Sequence, residues 1–377
     1  MNSWTNFSAK VVSILWAICV SLSGCAPTTA PTIAVADNSA AVEKSLLIAV
    51  LPLDNLSGTP APLGKIRQSL IDALKESGLS FVDQDSMVRF IAKNRLRYTG
   101  GVTRTTAVDL KWQTGAEAVL ITSVELYSED PPPKISLTAR LVSTGNNPEI
   151  LWMDGVGLAG DDSIGILELS VIDDPNILLK KAVRYLSTSL RDYFSGGKAG
   201  GHTPNGRIKF WPKLFFTSPI LDLGTKYKVA VVPFFDESQR RFGGEIMANH
   251  FARQLRTLEN FTVIEPGEVR EALLQMRIIM EDGISFADAR ALFTKLDADL
   301  ILAGKVFAYQ DYIGVAGKPV VDFSALLIEQ KSQEVVWACE SFNEGDDGVY
   351  FFDWGKVNTA HAMASEMVQT AMETIGE

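Results

Sequence analysis

The chain has 377 residues, of which 46% are hydrophobic, and carries a formal net charge of −10. This length is sufficient for two domains with proper cores, and the acidic balance argues against nucleic acid and anionic lipid headgroups as partners. With Cys19 and Cys25 near the N-terminus, only Cys339 lies in the part expected to fold, so no intramolecular disulfide is expected.

The N-terminal segment has the pattern of a signal peptide. Residues 11–22 form a mostly apolar run after one basic residue, and the run is shorter than the roughly 20 residues of a membrane-spanning helix. The following Leu22-Ser23-Gly24-Cys25 resembles the lipobox of bacterial lipoproteins. This resemblance implies cleavage between Gly24 and Cys25, with diacylglycerol and palmitate on Cys25 as a membrane anchor. The alternative is an ordinary secretory signal in which Cys25 is coincidental.

The residues after Cys25 predict the destination and a tether. Position 26 is Ala rather than the Asp that retains many such lipoproteins in the inner membrane, so the resemblance implies the outer membrane, with the protein facing the periplasm. Residues 26–44 are rich in Pro, Thr and Ala without a sustained apolar period, which predicts a flexible tether. A short strand at 32–36 is the alternative.

The remainder of the chain is predicted to be a tandem duplication. An ordered series of segments recurs at a nearly constant spacing, and chance does not produce such a series. We therefore predict a signal peptide at 1–24, a lipidated cysteine and tether at 25–44, repeats at 45–194 and 227–377, and a Gly-rich then aromatic linker at 195–226. The clearest matches are Ile48–Leu53 with Val229–Phe234, Leu79–Asp83 with Phe261–Glu265, Ala116–Leu120 with Ala298–Leu302, and Ile150–Trp152 with Val335–Trp337.

Both repeats predict the order β-α-β-α-α-β-β-β-α, which makes the fold class α/β. Each repeat is expected to be an α/β sandwich with helices packed on a mixed sheet. The first repeat predicts strands at 46–53, 79–83, 118–127, 134–142 and 149–156 and helices at 63–77, 86–96, 105–114 and 176–194. The second predicts strands at 228–235, 261–265, 300–309, 319–328 and 334–342 and helices at 244–258, 268–279, 285–296 and 356–375.

These core segments carry a family resemblance. The first strand, the FxVV-like strand, the AD(L/V)IL-like strand and the late VxW strand are similar to those of a superfamily of envelope lipoproteins. It includes the curli secretion-channel lipoprotein, the polysaccharide-export ring lipoprotein, the activators of penicillin-binding proteins and the N-terminal domain of the Tol propeller protein. The resemblance covers nearly all of 46–194 and 227–375. It implies non-enzymatic assembly, channel or regulatory parts, several of which form rings.

No catalytic or metal-binding pattern stands out in the sequence, and no cofactor is predicted. His202, His250 and His361 lack ligand spacing, and Cys339, on a predicted strand, has the pattern of a buried small hydrophobe. The run 196–201 lacks the Gly-Lys-Ser/Thr of a phosphate loop and is predicted to be linker. The acidic pairs are predicted to cap helices and turns rather than to bind calcium. These pairs are Asp161-Asp162, Asp173-Asp174 and Asp346-Asp347.

One linker segment is unusually aromatic. Residues 207–223 place Phe210, Trp211, Phe215 and Phe216 within seven residues. One interpretation is a strap that packs across both repeats and fixes their relative angle. The other is an exposed patch for a protein partner or a membrane interface, because aromatic side chains dominate binding energy at such contacts.

The sequence therefore favours a non-enzymatic scaffold or accessory component of an envelope assembly or export system. Expected partners are the membrane, through Cys25, other envelope proteins, and further copies of the chain; nucleic acid is not expected. A tethered activator of a peptidoglycan synthase is the alternative. An enzyme is a third hypothesis, which a pocket between the repeats lined with titratable groups would favour.

Overall fold

Two β-sheets with helices packed on them form the part of the chain that the structure describes. The computed structural model describes residues 46–162, 171–197, 210–280, 283–314, 316–347, 349 and 355–376. The predicted signal peptide, Cys25 and the tether lie outside the described residues, as do His202 and most of the Gly-rich run.

The first sheet is mixed and has the strand order β3-β1-β4-β5-β6, with the short β2 pairing with β4. β1 runs parallel to β3 and β4, whereas β4, β5 and β6 form an antiparallel meander. The elements are β1 (Leu47–Val50), β2 (Asp54–Asn55), α1 (Leu63–Glu76), β3 (Ser80–Phe81), α2 (Gln84–Asn94), α3 (Arg104–Thr114), β4 (Ala118–Ser128), β5 (Lys134–Ser143), β6 (Ile150–Ala159) and α4 (Pro175–Phe194).

The second sheet has the same order in β10-β8-β11-β12-β13, with β9 pairing with β11, and gains β7 as an extra edge strand beside β13. The elements are β7 (Leu214–Thr217), β8 (Tyr227–Val231), β9 (Phe235–Asp236), α5 (Gly243–Leu255), β10 (Phe261–Val263), α6 (Pro266–Met276), α7 (Phe286–Leu296), β11 (Leu300–Gln310), β12 (Val320–Glu329), β13 (Val335–Glu344) and α8 (Ala360–Glu373), which a 3-10 turn, Thr374–Gly376, follows. The predicted α/β class is confirmed.

Local sequence explains where several helices begin and end. The Asp83 carboxylate accepts a hydrogen bond from the Ser86 amide at the start of α2, and the Ser285 hydroxyl accepts one from the Asp288 amide at the start of α7. α2 and α6 both end at an arginine in the left-handed conformation, Arg95 at φ 49° and Arg277 at φ 54°. The two halves thus share this unusual helix ending.

The two halves pack as successive layers within one compact unit, residues 45–377. α1 and α4 cover one face of the first sheet, where a core that includes Leu70, Leu120 and Leu186 forms. A second core joins the halves, since it holds Ile121 and Met153 of the first sheet together with Met247 of α5 and Val321 of the second sheet. α5 and α8 therefore lie between the two sheets, and almost every residue of α8 is buried.

A smaller core forms where α6 and α7 cover part of the remaining face of the second sheet. It contains Ile301, Leu292 and Phe293. Within the described part of the chain, no helix combines the length and apolar character needed to cross a membrane.

Candidate functional site

The aromatic segment adds β7 to the edge of the second sheet. Leu214, Phe215 and Phe216 form a short β-prone run that pairs antiparallel with β13. Pro212 precedes the run and Pro219 follows it, which limits the strand to a few residues. The Thr217 hydroxyl donates a hydrogen bond to the Thr374 carbonyl at 2.9 Å, which connects β7 to the 3-10 turn at the end of α8.

The four predicted aromatic residues of this segment differ in exposure. Phe210 is buried in the shared core, and its carbonyl accepts a hydrogen bond from Thr370 of α8. Trp211, Phe215 and Phe216 are 41%, 47% and 52% exposed. The strand that carries the last two rings belongs to the second sheet. The structure thus places these three rings at the surface rather than between the two sheets.

A buried ion pair joins the two sheets. Arg140 on β5 donates through Nη2 to Glu265 Oε1 at 2.9 Å and through Nε to Oε2 at 3.1 Å, and both side chains are almost fully buried. Glu265 also accepts hydrogen bonds from the amides of Val102 and Gly267, and Arg140 donates to the Gly100 carbonyl. These partners satisfy both charges away from water.

A second polar cluster, which we call the junction cluster, lies between β4, α5, β11 and α8. His361 Nδ1 is 2.6 Å from Glu125 Oε2, and the Thr138 hydroxyl donates to Glu125 Oε1 at 2.5 Å. His250 Nε2 is 3.2 Å from the Tyr309 hydroxyl, and the two imidazole ring centroids are 4.6 Å apart. All five side chains are buried, so the cluster is closed to solvent.

Two glycines of β6 allow α8 to approach this closely. A Cβ on Gly155 would lie 2.7 Å from Arg253 Nη1 and 3.0 Å from His361 Nε2. A Cβ on Gly157 would lie 2.7 Å from the Thr359 hydroxyl oxygen and 2.9 Å from His361 Cβ. Because β6 alternates its side chains, both glycines face α8. The Gly-Val-Gly sequence is thus required by the contact between the halves.

The electrostatics of the junction cluster keep Glu125 charged and His250 neutral. Burial favours the neutral acid, but His361, the Thr138 hydrogen bond and Arg240 outweigh it and hold the pKa of Glu125 below its ordinary value. Burial, reinforced by the neighbouring His361, Arg253 and Arg240, lowers the pKa of His250 well below its ordinary value. The carboxylate therefore stays charged and His250 stays neutral.

Glu125, His250 and His361 also bring three metal-binding side chains within 4.8 Å of one another. Ligands of one tetrahedral zinc ion lie about 3.3 Å apart, however, as follows from Zn–N distances of about 2.0 Å. The 2.6 Å contact between Glu125 and His361 is a hydrogen-bond distance. The arrangement is that of a hydrogen-bonded pair, and its burial leaves no path for a substrate to reach it.

No pattern in the sequence predicts that His250 and His361 meet. They are 111 residues apart, and no ligand spacing links them. The composition of α8, which is rich in alanine and methionine, indicates close packing against a neighbouring element but does not identify the partner of His361.

A cleft of about 290 Å³ lies beside the junction cluster, between the halves. Its lining includes Asp162, Lys181, Lys356 and Glu366, so it has the titratable groups that the enzyme hypothesis requires. Burial raises the pKa of Glu366 to about 7 and is the main cause that raises the pKa of Asp162 to about 6. Asp162 is engaged structurally, since its carboxylate accepts hydrogen bonds from the Ala159 amide and the Asn358 side chain.

The remaining predicted sites take structural positions. Asp347 accepts a hydrogen bond from the Glu344 amide, and Asp162 accepts the equivalent bond from the Ala159 amide. Asp174 accepts a hydrogen bond from the Asn176 amide and so caps the start of α4. Cys339 is buried on β13, and burial raises the pKa of its thiol, so little of the reactive thiolate is present.

No family model and no curated protein matches this chain. Among solved structures, the chain is similar to a PelC dodecamer from Paraburkholderia phytofirmans, with 20% identity and a TM-score of 0.30, over 43% of this chain and 96% of that chain. It is similar to the LpoB C-terminal domain from Salmonella enterica, with 20% identity and a TM-score of 0.26, over 30% and 82% of the two chains. Lipoprotein GNA1162 from Neisseria meningitidis gives 22% identity and a TM-score of 0.27 over 38% and 98%.

Proposed function

We propose that this protein is a lipid-anchored component of the bacterial envelope, held at the outer membrane through Cys25 and facing the periplasm. In this proposal it acts as a non-enzymatic scaffold or accessory component of an envelope assembly or export system. The lipobox-like Leu22-Ser23-Gly24-Cys25 supports the anchor.

The observation that carries the scaffold role is the contrast between buried reactive groups and exposed apolar ones. Glu125, His250, His361 and Cys339 are all buried, whereas β7 presents neighbouring apolar side chains to solvent. Exposed apolar surface of this kind is typical of binding surfaces in proteins that act by contact.

Lipid attachment and destination are tested together in a Gram-negative host. We expect the chain to incorporate labelled palmitate and to sediment with outer membranes, and Cys25→Ser to abolish both. Cys19→Ser is the matched control, because it removes a thiol of the same signal segment that is not the proposed lipid acceptor. Labelling that survives Cys25→Ser, or a chain found in the inner membrane, would overturn the anchor.

The scaffold role is tested by crosslinking in intact cells of the native host. We expect the lipidated chain to enter a complex larger than itself, and the identity of the crosslinked protein separates an export assembly from a peptidoglycan synthase. Glu366→Gln, which removes one titratable group of the cleft, is expected to leave the complex and the cellular function unchanged. If Glu366→Gln abolished the cellular function while the complex stayed intact, the result would favour an enzyme instead.

A further inference from the structure

Among the described residues, one face of the second sheet is exposed, whereas the corresponding face of the first sheet is covered by helices. In the first sheet, α5 and α8 pack over the meander of β4, β5 and β6, and nearly all residues of these strands are buried. In the second sheet, no helix of the described residues packs on the matching face of β12, β13 and β7. We call this surface the open face; cross-strand pairing places on it Leu214, Phe216, Lys305, Asp322, Ser324, Ala338, Glu340 and Phe342.

The open face is partly apolar and well exposed. Leu214 is 64% exposed, Phe216 52% and Phe342 41%. Leu214 lies directly opposite Glu340, and Asp322 directly opposite Phe342, so apolar and acidic side chains alternate across the strands.

This face differs from its counterpart in the first sheet in a way that sets what it can bind. Gly157 and Gly155 pair with the third and fifth residues of β5, whereas Phe342 and Glu340 pair with the third and fifth residues of β12. Glycine lets α8 approach closely, but Phe342 and Glu340 stand up from the sheet. A helix on the open face must therefore sit farther away and carry long side chains.

The open face carries two carboxylates, Asp322 and Glu340, and its lysine, Lys305, is already paired with Glu237 at 3.8 Å. Among the described residues, neither Asp322 nor Glu340 has a lysine or arginine within ion-pair distance. Burial, together with repulsion from Glu340, raises the pKa of Asp322. A cationic side chain placed between the two carboxylates would relieve this repulsion.

The opposite end of the layered structure supplies such a helix face. Ile177, Lys180, Arg184, Thr188 and Arg191 follow one another at spacings of three or four residues, so they form one stripe along α4. All except Thr188 are exposed, on the side of α4 that faces away from the first sheet. In a chain of net charge −10, this stripe contains three basic residues and no acidic one.

We propose that the open face of the second sheet binds α4 of a second copy of this chain, in a head-to-tail contact. Lys180 and Arg184 would pair with Asp322 and Glu340, while Ile177 packs among Leu214, Phe216 and Phe342. The contact repeats between molecules the helix-on-sheet layering that already joins the two halves within the chain. It goes beyond the envelope role proposed above and does not depend on lipid attachment.

The proposed contact is heterologous, because the two surfaces are different. Each copy offers one open face and one α4 stripe at opposite ends of its layers, so the two cannot meet within one molecule. Copies add in one direction and produce a ring if the rotation closes, or a filament if it does not. A two-fold dimer is not expected from this contact.

The test uses the chain from Ala26 onward, studied by mass photometry and sedimentation velocity. We expect multimers that grow with concentration and shrink as salt is raised. Glu340→Lys inactivates the open face, and Lys180→Glu combined with Arg184→Glu inactivates the stripe. Each should weaken self-association by about tenfold or more, since like charges across an interface are strongly unfavourable.

Mixing gives the sharper result. Each variant keeps one competent surface, so an equimolar mixture should associate more strongly than either variant alone, with the unchanged stripe of one variant bound to the unchanged open face of the other. Lys93→Glu with Asp109→Lys, at exposed positions away from both surfaces, is the matched control, and near-ultraviolet circular dichroism checks folding. A monomer at every accessible concentration, or multimers unaffected by either variant, would overturn the proposal.

Discussion

Removing the charge of Glu265 tests the proposition that the two sheets are joined by a buried ion pair. Glu265→Gln keeps the shape of the side chain but leaves the Arg140 guanidinium, about 2% exposed, without its paired carboxylate. Removing one partner of such a pair destabilises proteins by about 3–5 kcal/mol. With an unfolding entropy of about 2.1 cal/mol/K per residue over roughly 330 residues, Tm should fall by about 4–7 °C.

The measurement is urea unfolding followed by tryptophan fluorescence, together with a thermal melt. Glu237→Gln is the matched control, because Glu237 pairs with Lys305 at 3.8 Å in a partly exposed position, where such a pair contributes less than about 1 kcal/mol. Because the two sheets share a core, we expect one transition in both variants. A loss below about 1 kcal/mol for Glu265→Gln would refute the argument, since the guanidinium would then have access to water.

Three further outcomes follow from the environments of single residues. Gly155→Ala should destabilise the protein, because its Cβ would meet His361 and Arg253. Gly64→Ala should instead stabilise the protein by about 0.5–1 kcal/mol, because Gly64 lies in an exposed part of α1 and its Cβ would have no atom within 4 Å. Urea unfolding measures the free-energy change of both variants. Burial raises the pKa of Glu366 from 4.5 to about 7, so between these pH values the folded state binds more protons than the unfolded state. The free energy of unfolding should therefore fall as pH rises from 4.5 to about 7. A Glu366→Gln variant whose unfolding free energy has the same pH dependence would contradict this. Cys339 should react with a thiol reagent only in denaturant, and rapid reaction of the folded chain would show that β13 is open.

Helix α1 was accessible from sequence because its apolar residues recur at helical spacing. The buried stripe of α1, Ile66, Leu70, Ile71 and Leu74, has helical spacing, and α1 begins at Leu63 as predicted. β7 was not predicted as a strand, because a run of four residues gains its stability from pairing with β13, a contact remote in sequence.

The junction cluster was inaccessible for a different reason. Glu125 and His361 meet only because the second half stacks on the first, and no local pattern reports that stacking. Gly155 and Gly157 were the available trace, since two glycines on one face of a strand indicate close approach of another element. These glycines indicated a close contact on one face of β6, but they did not identify α8 as the helix that makes it.

The stacking of the second half on the first has a consequence for synthesis. A chain emerges from the ribosome N-terminus first, so β4, β5 and β6 are complete long before α8, which ends at Glu373. Until then, the part of this sheet that α5 and α8 cover, at Gly155 and Gly157 of β6, has no helix of the second half packed on it. Transiently exposed sheet surface of this kind is prone to aggregation. We therefore expect the first half to be prone to aggregation until the last helix of the protein packs on it.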